Sequence, residues 1–170
     1  MKKLISSTQI RAKVKQMAGL INAHYKDKGE VLAVCILKGA AFFFTDLLQE
    51  LRVPLTIDFI EVQSYGGKTV SSGEVKLAKD LSSPAEGKHI LIVEDIIDTG
   101  ATLKYLTGLM QTRGAASVKI AAFLDKPSRR TAHINADFTG FEIPDSFVVG
   151  YGLDYAEKYR NLKHIFVADV

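Results

Sequence analysis

Apolar residues near the start of the chain recur at i, i+4, i+7 and i+11, the spacing of one buried helix face. They are Ile10, Val14, Met17 and Ile21. Ser7 or Thr8 is expected to cap the start of this helix, and the polar segment 26–29 to end it. A second helix with one apolar face is predicted further along the chain. Its apolar residues are Phe42, Phe43, Leu47 and Leu51.

Three continuous apolar runs predict strands that are buried on both faces. The runs cover residues 31–37, 89–95 and 117–124. A third helical face, formed by Leu103, Leu106 and Met110, lies between the last two runs. Because strands and helices alternate, right-handed crossovers and a mostly parallel sheet are expected. The predicted fold class is therefore α/β, a mostly parallel twisted sheet flanked by helices.

Shorter patterns complete the prediction of a single domain. Alternating apolar residues in segment 55–59 predict a half-buried strand, and segment 75–79 predicts a strand that returns beside it. The glycine-rich segment 64–74 between them is expected to be a mobile loop. After Pro127 the pattern changes to loops and short strands. With no repeat and no linker, residues 1–170 are expected to form one domain with a small appended lobe.

The composition narrows the functional class only slightly. Apolar residues make up 47% of the chain and charged residues 24%, as in an ordinary globular protein. A net charge of +3 argues against a dedicated nucleic-acid binder but suits a small anionic substrate. The single cysteine, Cys35, lies in an apolar run and cannot form an internal disulfide. With no secretory signal and no membrane-length apolar window, the cytoplasm is the expected location.

A cluster of acidic residues follows the second apolar run. Three carboxylates fall within five residues, and they belong to Glu94, Asp95 and Asp98. Their mutual repulsion is a cost that helix capping alone would not require, so a bound cation, ribose hydroxyls or a proton-transfer role is expected. The turn through Thr99 and Gly100 opens a helix whose free amides can hold a phosphate. Gly100 allows close backbone approach, while Thr99 and Thr102 add hydroxyl groups.

Segment 93–103, with the sequence VEDIIDTGATL, resembles the signature by which type I phosphoribosyltransferases bind phosphoribosyl pyrophosphate (PRPP), in its hypoxanthine/guanine form. Four further motifs stand in the family's order. Leu37-Lys38-Gly39 resembles its pyrophosphate loop, and Ser64-Tyr65 with the following glycines resembles its catalytic lid, about 64–75. Segments 125–127 and 141–155 resemble its purine-binding region. The resemblance covers nearly the whole chain and implies the family's fold, with a hood lobe from the N-terminal and C-terminal segments.

The resemblance implies a Mg2+-dependent purine salvage enzyme. It would transfer the 5-phosphoribosyl group from PRPP to N9 of hypoxanthine or guanine and release pyrophosphate. Asp98 would be the general base beside the purine N7, and Glu94 and Asp95 would face the ribose hydroxyls and Mg2+. The 5-phosphate would be held by the backbone and hydroxyl groups of one loop. Its residues are Asp98, Thr99, Gly100, Ala101 and Thr102.

Two further groups of residues take roles from the same resemblance. The pyrophosphate would be bound by Leu37, Lys38, Gly39 and Arg160, and in this family the peptide bond after Leu37 can be cis. Lys126 would donate to the purine O6, Phe147 would stack on the base, and the Val148 backbone would bind its Watson–Crick edge. Asp154 would lie beside the purine site and hold Mg2+ with pyrophosphate. Without the other motifs, Lys126 would be interpreted as an ordinary loop lysine before Pro127. For Phe147, a core position is the main alternative.

Two alternatives remain open at this point. A regulator on the same fold would bind PRPP or a nucleotide and recognise nucleic acid through Lys126, Arg129 and Arg130. Asp98 argues against it, because a sensor needs no carboxylate at the base position. Xanthine also remains a candidate substrate in place of hypoxanthine or guanine. A homodimer or homotetramer is implied by the resemblance, and neither a membrane nor a nucleic-acid partner is expected.

Overall fold

A six-stranded sheet forms the centre of the protein, with helices on both of its faces. The computed structural model describes residues 1–64 and 75–169. The helices are α1 (Ser7–Tyr25), α2 (Ala41–Glu50) and α3 (Ala101–Thr112). The strands are β1 (Lys2–Ile5), β2 (Val31–Leu37), β3 (Leu55–Ser64), β4 (Val75–Lys79), β5 (His89–Ile97), β6 (Ser117–Asp125), β7 (Phe138–Glu142), β8 (Val148–Val149) and β9 (Ile165–Val167).

The order of the central strands is β4-β3-β2-β5-β6-β7, and only β4 runs antiparallel to its neighbour. The predicted α/β class with a mostly parallel sheet is therefore confirmed. The chain moves outward from β2 to β3 on one side and from β5 to β6 on the other. Because the loops after β2 and β5 leave the sheet in opposite directions, a crevice opens between their carboxyl ends. In open α/β sheets this is the usual place for a ligand.

A second, antiparallel sheet joins the beginning of the described chain to its end. Its order is β1-β9-β8, and Lys2 pairs with Val167, which in turn pairs with Val148. The amide of Ala168 also donates to the carbonyl oxygen of Phe147 at 2.9 Å. These three strands form a small second sheet, and the arrangement of one domain with a hood lobe stays a prediction.

Strand β2 shows why continuous apolar runs predict buried strands. Alternate side chains of a strand point to opposite faces. Val31 and Cys35 therefore enter the core beneath α1 and α2, while Leu32 and Ile36 enter the core beneath α3. Burial raises the pKa of the Cys35 thiol to about 12, so this cysteine is a core residue rather than a reactive one.

The cap of α1 differs from the expectation. Ser6, rather than Ser7 or Thr8, is the capping residue. Its hydroxyl accepts from the Gln9 amide at 3.3 Å, and the Gln9 side chain accepts from the Ser6 amide at 2.8 Å. Such a reciprocal pair needs a glutamine or glutamate three residues after the cap, which only Ser6 has in Gln9.

Two apolar side chains lie on the wrong side of the predicted elements. Phe42 is 44% exposed, and Phe44 instead joins Phe43 in the core. In β3, Ile57 is 49% exposed, while the opposite face buries Asp58. The Asp58 carboxylate accepts from the Ser82 amide at 2.8 Å, so a polar residue is satisfied where an apolar one was expected.

Within residues 1–64 and 75–169, no helix has both the length and the apolar character needed to cross a membrane. The returning strand 75–79 is confirmed as β4. The mobile loop predicted for segment 64–74 falls almost wholly on residues 65–74, outside the described residues, and stays a prediction.

Replacing Ser6 with alanine should lower the free energy of unfolding by about 0.5–2 kcal/mol, because the first-turn amides of α1 lose their acceptor. Urea denaturation of the wild type and of Ser6→Ala measures the difference. Ser7→Ala is the matched control and should change stability less. A larger effect of Ser7→Ala would assign the cap to Ser7 after all.

Candidate active site

At the crevice between β2 and β5, the backbone of Gly39 lies very close to the side chain of Asp95. A Cβ atom at Gly39 would collide with the Asp95 carboxylate, and one at Gly152 would collide with the Gly39 carbonyl. Gly152 also has a φ of 98°, which favours glycine. The close approaches at Gly39 and Gly152 place the loop after β2 directly against both the acidic segment of β5 and the turn at Gly152. The Leu37–Lys38 peptide bond in this loop is cis.

The loop from Asp98 to Thr102 forms a small cup at the start of α3, with a cavity of about 100 Å³. Gly100 is the N-cap residue with a φ of 84°, and it has no side chain to occupy the first-turn amides. A Cβ at Gly100 would collide with Ile134 and Arg130. One of these amides, that of Ala101, donates to the Thr99 hydroxyl at 3.3 Å. Free amides at a helix N-terminus favour an anion, so the rest of the cup suits the predicted phosphate.

The side chain of Arg130 connects this cup to the segment that follows β6. Its guanidinium pairs with Asp125 and donates to the carbonyl oxygens of Ile134 at 2.7 Å and Asp98 at 3.3 Å. The amide of Thr131 also donates to the Thr99 carbonyl at 3.1 Å. The loop from Asp98 to Thr102 is thus fixed to the segment that follows β6.

Of the first two carboxylates of the acidic cluster, that of Glu94 is buried and that of Asp95 is half-buried. Glu94 is only 8% exposed, and its carboxylate accepts from the Asp95 amide at 3.0 Å. Burial and the neighbouring charge of Asp95 raise the pKa of Glu94 well above its usual range. Burial also raises the pKa of Asp95, although the charge of Arg160 opposes this shift. A bound cation would relieve the strain between these two groups.

A cavity of about 510 Å³ lies beside the acidic cluster. It brings together most of the residues predicted to contact the purine and the metal. They are Asp95, Asp98, Lys126, Phe147, Val148 and Asp154. The roles of these residues stay predictions, but they line one site as the hypothesis requires.

Charged side chains at this cavity form a series of connected ion pairs. Asp98 accepts from Nε of Arg129 at 3.0 Å, and the other end of Arg129 lies 3.6 Å from Asp145. Nζ of Lys126 is 3.9 Å from the same aspartate. The hydrogen bond to Asp98 raises the pKa of Arg129. Lys126 is 9% exposed, so it is not an ordinary solvated loop lysine.

Three aromatic residues near the cavity differ in their environment. Phe147 is 43% exposed, so the alternative of a core residue is wrong. Tyr155 is 48% exposed, and its ring centroid lies 5.7 Å from that of Phe147, edge to face. Tyr151 is buried, and its hydroxyl donates to Asp46 at 2.8 Å.

Lys38 and Arg160, which were predicted to bind pyrophosphate, meet at one carboxylate. Glu157 lies 3.1 Å from Nζ of Lys38 and 3.2 Å from the Arg160 guanidinium. Arg160 also lies 3.0 Å from Asp154 and donates to the Gly152 carbonyl at 2.7 Å. The hydrogen bond from Lys38 lowers the pKa of Glu157.

Residues 4–156 match the family model described as a phosphoribosyl transferase domain. The chain belongs to the phosphoribosyltransferase family. It is 55% identical over 166 residues to the hypoxanthine-guanine phosphoribosyltransferase of Bacillus subtilis, an alignment that covers 98% of this chain and 92% of that protein.

Crystal structures of related phosphoribosyltransferases have the same fold. The hypoxanthine-guanine phosphoribosyltransferase of Bacillus anthracis is 42% identical, with a TM-score of 0.93. The superposition covers 99% of this chain and 98% of the other. A Trypanosoma cruzi hypoxanthine phosphoribosyl transferase, studied for the role of its C-terminal region in oligomeric state and activity, is 40% identical. Its TM-score is 0.93, and the match covers 98% of this chain and 90% of that one. The type I fold expected from the motifs is confirmed.

The carboxylates of this phosphoribosyltransferase suit a magnesium site that is completed by substrate oxygens rather than one formed by protein ligands alone. Glu94, Asp95 and Asp154 supply the hard oxygen donors that Mg2+ prefers. In the described part of the chain, however, no three histidine, cysteine, aspartate or glutamate side chains are grouped to hold a metal by themselves. An ion here would complete its shell with phosphate oxygens and water, as Mg2+ commonly does.

Sequence reasoning missed several contributors to the phosphoribosyltransferase site. Arg130 was noted only as part of a basic cluster, while Asp125, Asp145 and Glu157 were not singled out. Each acts through a partner distant in sequence, so no local spacing identifies it. Of the predicted lid, Ser64 is the last residue of β3, and Tyr65 lies outside the described residues.

Replacing Arg130 with methionine should destabilise this phosphoribosyltransferase by about 3–5 kcal/mol, because Asp125 would remain buried without its cation. The measurement is the free energy of unfolding in urea. Arg129→Met is the matched control. Its half-exposed pair with Asp98 should contribute only about 0–1 kcal/mol.

A double variant, Arg130→Met with Asp125→Leu, should recover part of the lost stability, since no unpaired charge remains. Equal destabilisation by Arg130→Met and Arg129→Met would contradict the supporting role of Arg130.

Proposed function

We propose that this phosphoribosyltransferase transfers the 5-phosphoribosyl group of PRPP to N9 of hypoxanthine or guanine, giving IMP or GMP and pyrophosphate in purine salvage. One observation carries the proposal. Asp98, Lys126 and Phe147 line a single cavity of about 510 Å³, and Asp98 also belongs to the phosphate cup. The names of the relatives support the same activity and give no support to a regulator.

The cavity provides a distinct contact for each part of a 6-oxopurine. Lys126 would donate to O6, an acceptor that adenine lacks, so the buried ammonium favours hypoxanthine and guanine. The exposed ring of Phe147 would stack on the base. The backbone of Val148 would bind its Watson–Crick edge. Because xanthine also carries O6, these contacts alone do not reject it.

The phosphoribosyl donor would lie across the cup and the crevice. The amides and hydroxyls of residues 98–102 would hold the 5-phosphate, and Glu94 and Asp95 would accept from the ribose hydroxyls. The pyrophosphate would contact the Leu37–Lys38 peptide, Gly39 and Arg160. Mg2+ held by Glu94, Asp95 and Asp154 together with substrate oxygens would neutralise charge on the leaving pyrophosphate.

The transfer itself requires one bond to form and one to break at ribose C1. The N9 lone pair attacks C1 as the bond from C1 to the pyrophosphate oxygen breaks, and pyrophosphate leaves with that electron pair. The transition state resembles an oxocarbenium ion, as at other glycosidic carbons. Asp98 would accept the N7 proton, which removes positive charge from the purine as the new bond forms. Arg129 keeps the Asp98 side chain in place before the base arrives.

The setting of the enzyme follows from the same proposal. We place it in the cytoplasm, where PRPP is formed and consumed, and its single buried cysteine needs no oxidising compartment. We also propose a homo-oligomer, a dimer or a tetramer. The Trypanosoma relative, whose oligomeric state has been studied, supports it.

The direct test is nucleotide formation from PRPP and Mg2+ with hypoxanthine, guanine, xanthine, adenine or uracil offered separately. Rapid conversion of hypoxanthine or guanine is expected, and adenine and uracil should give no product. If no base reacts while PRPP still binds, the regulator becomes the better explanation.

Asp98→Asn should lower the turnover number by about 10²–10⁴-fold, because the general base is lost. PRPP binding, measured by calorimetry, should stay nearly unchanged, since the phosphate loop backbone is intact. Asp27→Asn, an exposed change beyond the end of α1, is the control and should keep full activity. Unchanged turnover in Asp98→Asn would remove the residue from the mechanism.

Lys126→Met keeps the aliphatic stem and removes the ammonium that is expected at O6. The ratio kcat/KM for hypoxanthine should fall by about 10- to 100-fold, the range for losing a charged hydrogen bond. Lys15→Met, on the exposed face of α1, should leave it unchanged. Normal hypoxanthine kinetics in Lys126→Met would refute the contact.

A further inference from the structure

A carboxylate of the protein itself lies where the two cations predicted to bind pyrophosphate converge. Glu157 contacts Nζ of Lys38 through one oxygen at 3.1 Å and the Arg160 guanidinium through the other at 3.2 Å. Lys38 and Glu157 are 119 positions apart in the sequence, so this is a contact between separate loops. The two oxygens bridge the cations as two oxygens of a phosphate group would.

The backbone of a tight turn directs Glu157 to this position. Tyr155 and Lys158 pair across the turn, and the Glu157 amide donates to Asp154 at 2.8 Å. Ala156 and Glu157 have φ values of 50° and 63°, in a region that residues other than glycine rarely adopt. The turn therefore holds an uncommon conformation that presents this side chain to the cations.

Charge, rather than packing, holds the Glu157 side chain. It is 66% exposed, and so it can move into solvent without opening the core. Arg160 would stay in place if Glu157 moved, because Asp154 at 3.0 Å and the Gly152 carbonyl at 2.7 Å also hold its guanidinium. Lys38 lies next to Gly39, whose backbone lies close against the Asp95 carboxylate.

We propose that Glu157 is an internal anion in the pyrophosphate subsite, and that the pyrophosphate group of the substrate displaces it. The inference rests on the proposed function for the identity of the ligand. In the free protein the carboxylate neutralises Lys38 and Arg160, which would otherwise repel each other. With ligand bound, it competes for the same two cations. Glu157 therefore weakens the binding of pyrophosphate and favours its release as product.

The test compares Glu157→Gln with Glu86→Gln, which makes the same charge change on an exposed loop at the opposite end of β5. Calorimetric titration with magnesium pyrophosphate should give a dissociation constant about two- to tenfold lower for Glu157→Gln, the range expected when two exposed ion pairs no longer compete. Glu86→Gln should match the wild type. The KM for PRPP should fall in Glu157→Gln by a similar factor.

Glu157→Ala provides a second variant that also removes the charge and should give the same tightening, and circular dichroism identifies any variant that fails to fold. Unchanged or weaker pyrophosphate binding in the folded variants would overturn the proposal, since it would mean that Glu157 organises the cations for the ligand. A crystal structure with pyrophosphate bound should lack both Glu157 ion pairs. Their persistence would also overturn it.

These binding measurements need no purine and no turnover. If the variants bind pyrophosphate more tightly but the wild type converts no base, the role of Glu157 stands and the proposed salvage activity fails. If the wild type forms IMP or GMP and the variants bind pyrophosphate no better, the activity stands and the role of Glu157 fails.

Discussion

The contact between Gly39 and the Asp95 carboxylate determines how closely the loops after β2 and β5 can approach. The two strands are neighbours in the sheet, and their loops diverge at the crevice. Since no side chain separates them, the backbone after β2 lies against the acidic end of β5. The turn at Gly152 then packs on the Gly39 carbonyl. Three segments distant in sequence thereby form one wall, on which all other features of the site depend.

Most charges around this wall are balanced by the protein. Asp98 is paired with Arg129, and Glu157 with Lys38 and Arg160. The carboxylates of Glu94 and Asp95 are the exception. Burial and the charge of Asp95 raise the pKa of Glu94, and burial raises the pKa of Asp95 although its hydrogen bonds and the charge of Arg160 oppose that shift. The site is thus arranged for two kinds of ligand charge. Under the roles proposed above, an anionic group would replace an internal carboxylate, and a cation would join Glu94 and Asp95.

Local patterns were sufficient to predict five of the six strands of the central sheet, and β7 was not predicted individually. The run from Val31 to Leu37 coincides with β2, because a strand buried on both faces leaves no polar position. The turn through Thr99 and Gly100 was predicted to open α3, and Gly100 is its N-cap residue in a left-handed conformation that favours glycine. Predictions failed where contacts with other residues determine which side chain caps a helix or enters the core. The choice of Ser6 depends on Gln9, and Phe44 rather than Phe42 lies on the face of α2 that packs in the core.

The candidate site was predictable to the extent that chemistry is concentrated in short motifs. The acidic cluster and its glycine are contiguous, and so they stand out. The partners of those residues do not, because an ion pair such as Asp98 with Arg129 joins positions 31 residues apart. Nothing in the spacing of single charges indicates which of them will meet. Only the folded chain reveals that Arg130, Asp145 and Glu157 complete the site.

The small antiparallel sheet has a mechanical consequence for the base cavity. Phe147 immediately precedes β8, and its carbonyl accepts from Ala168, next to β9, which in turn pairs with β1. The position of the Phe147 ring therefore depends on β8, which pairs with residues 165–167, and through them on residues 2–5. Without either segment the ring would be less ordered relative to Lys126. The entropy cost of ordering it would then reduce the affinity for the base.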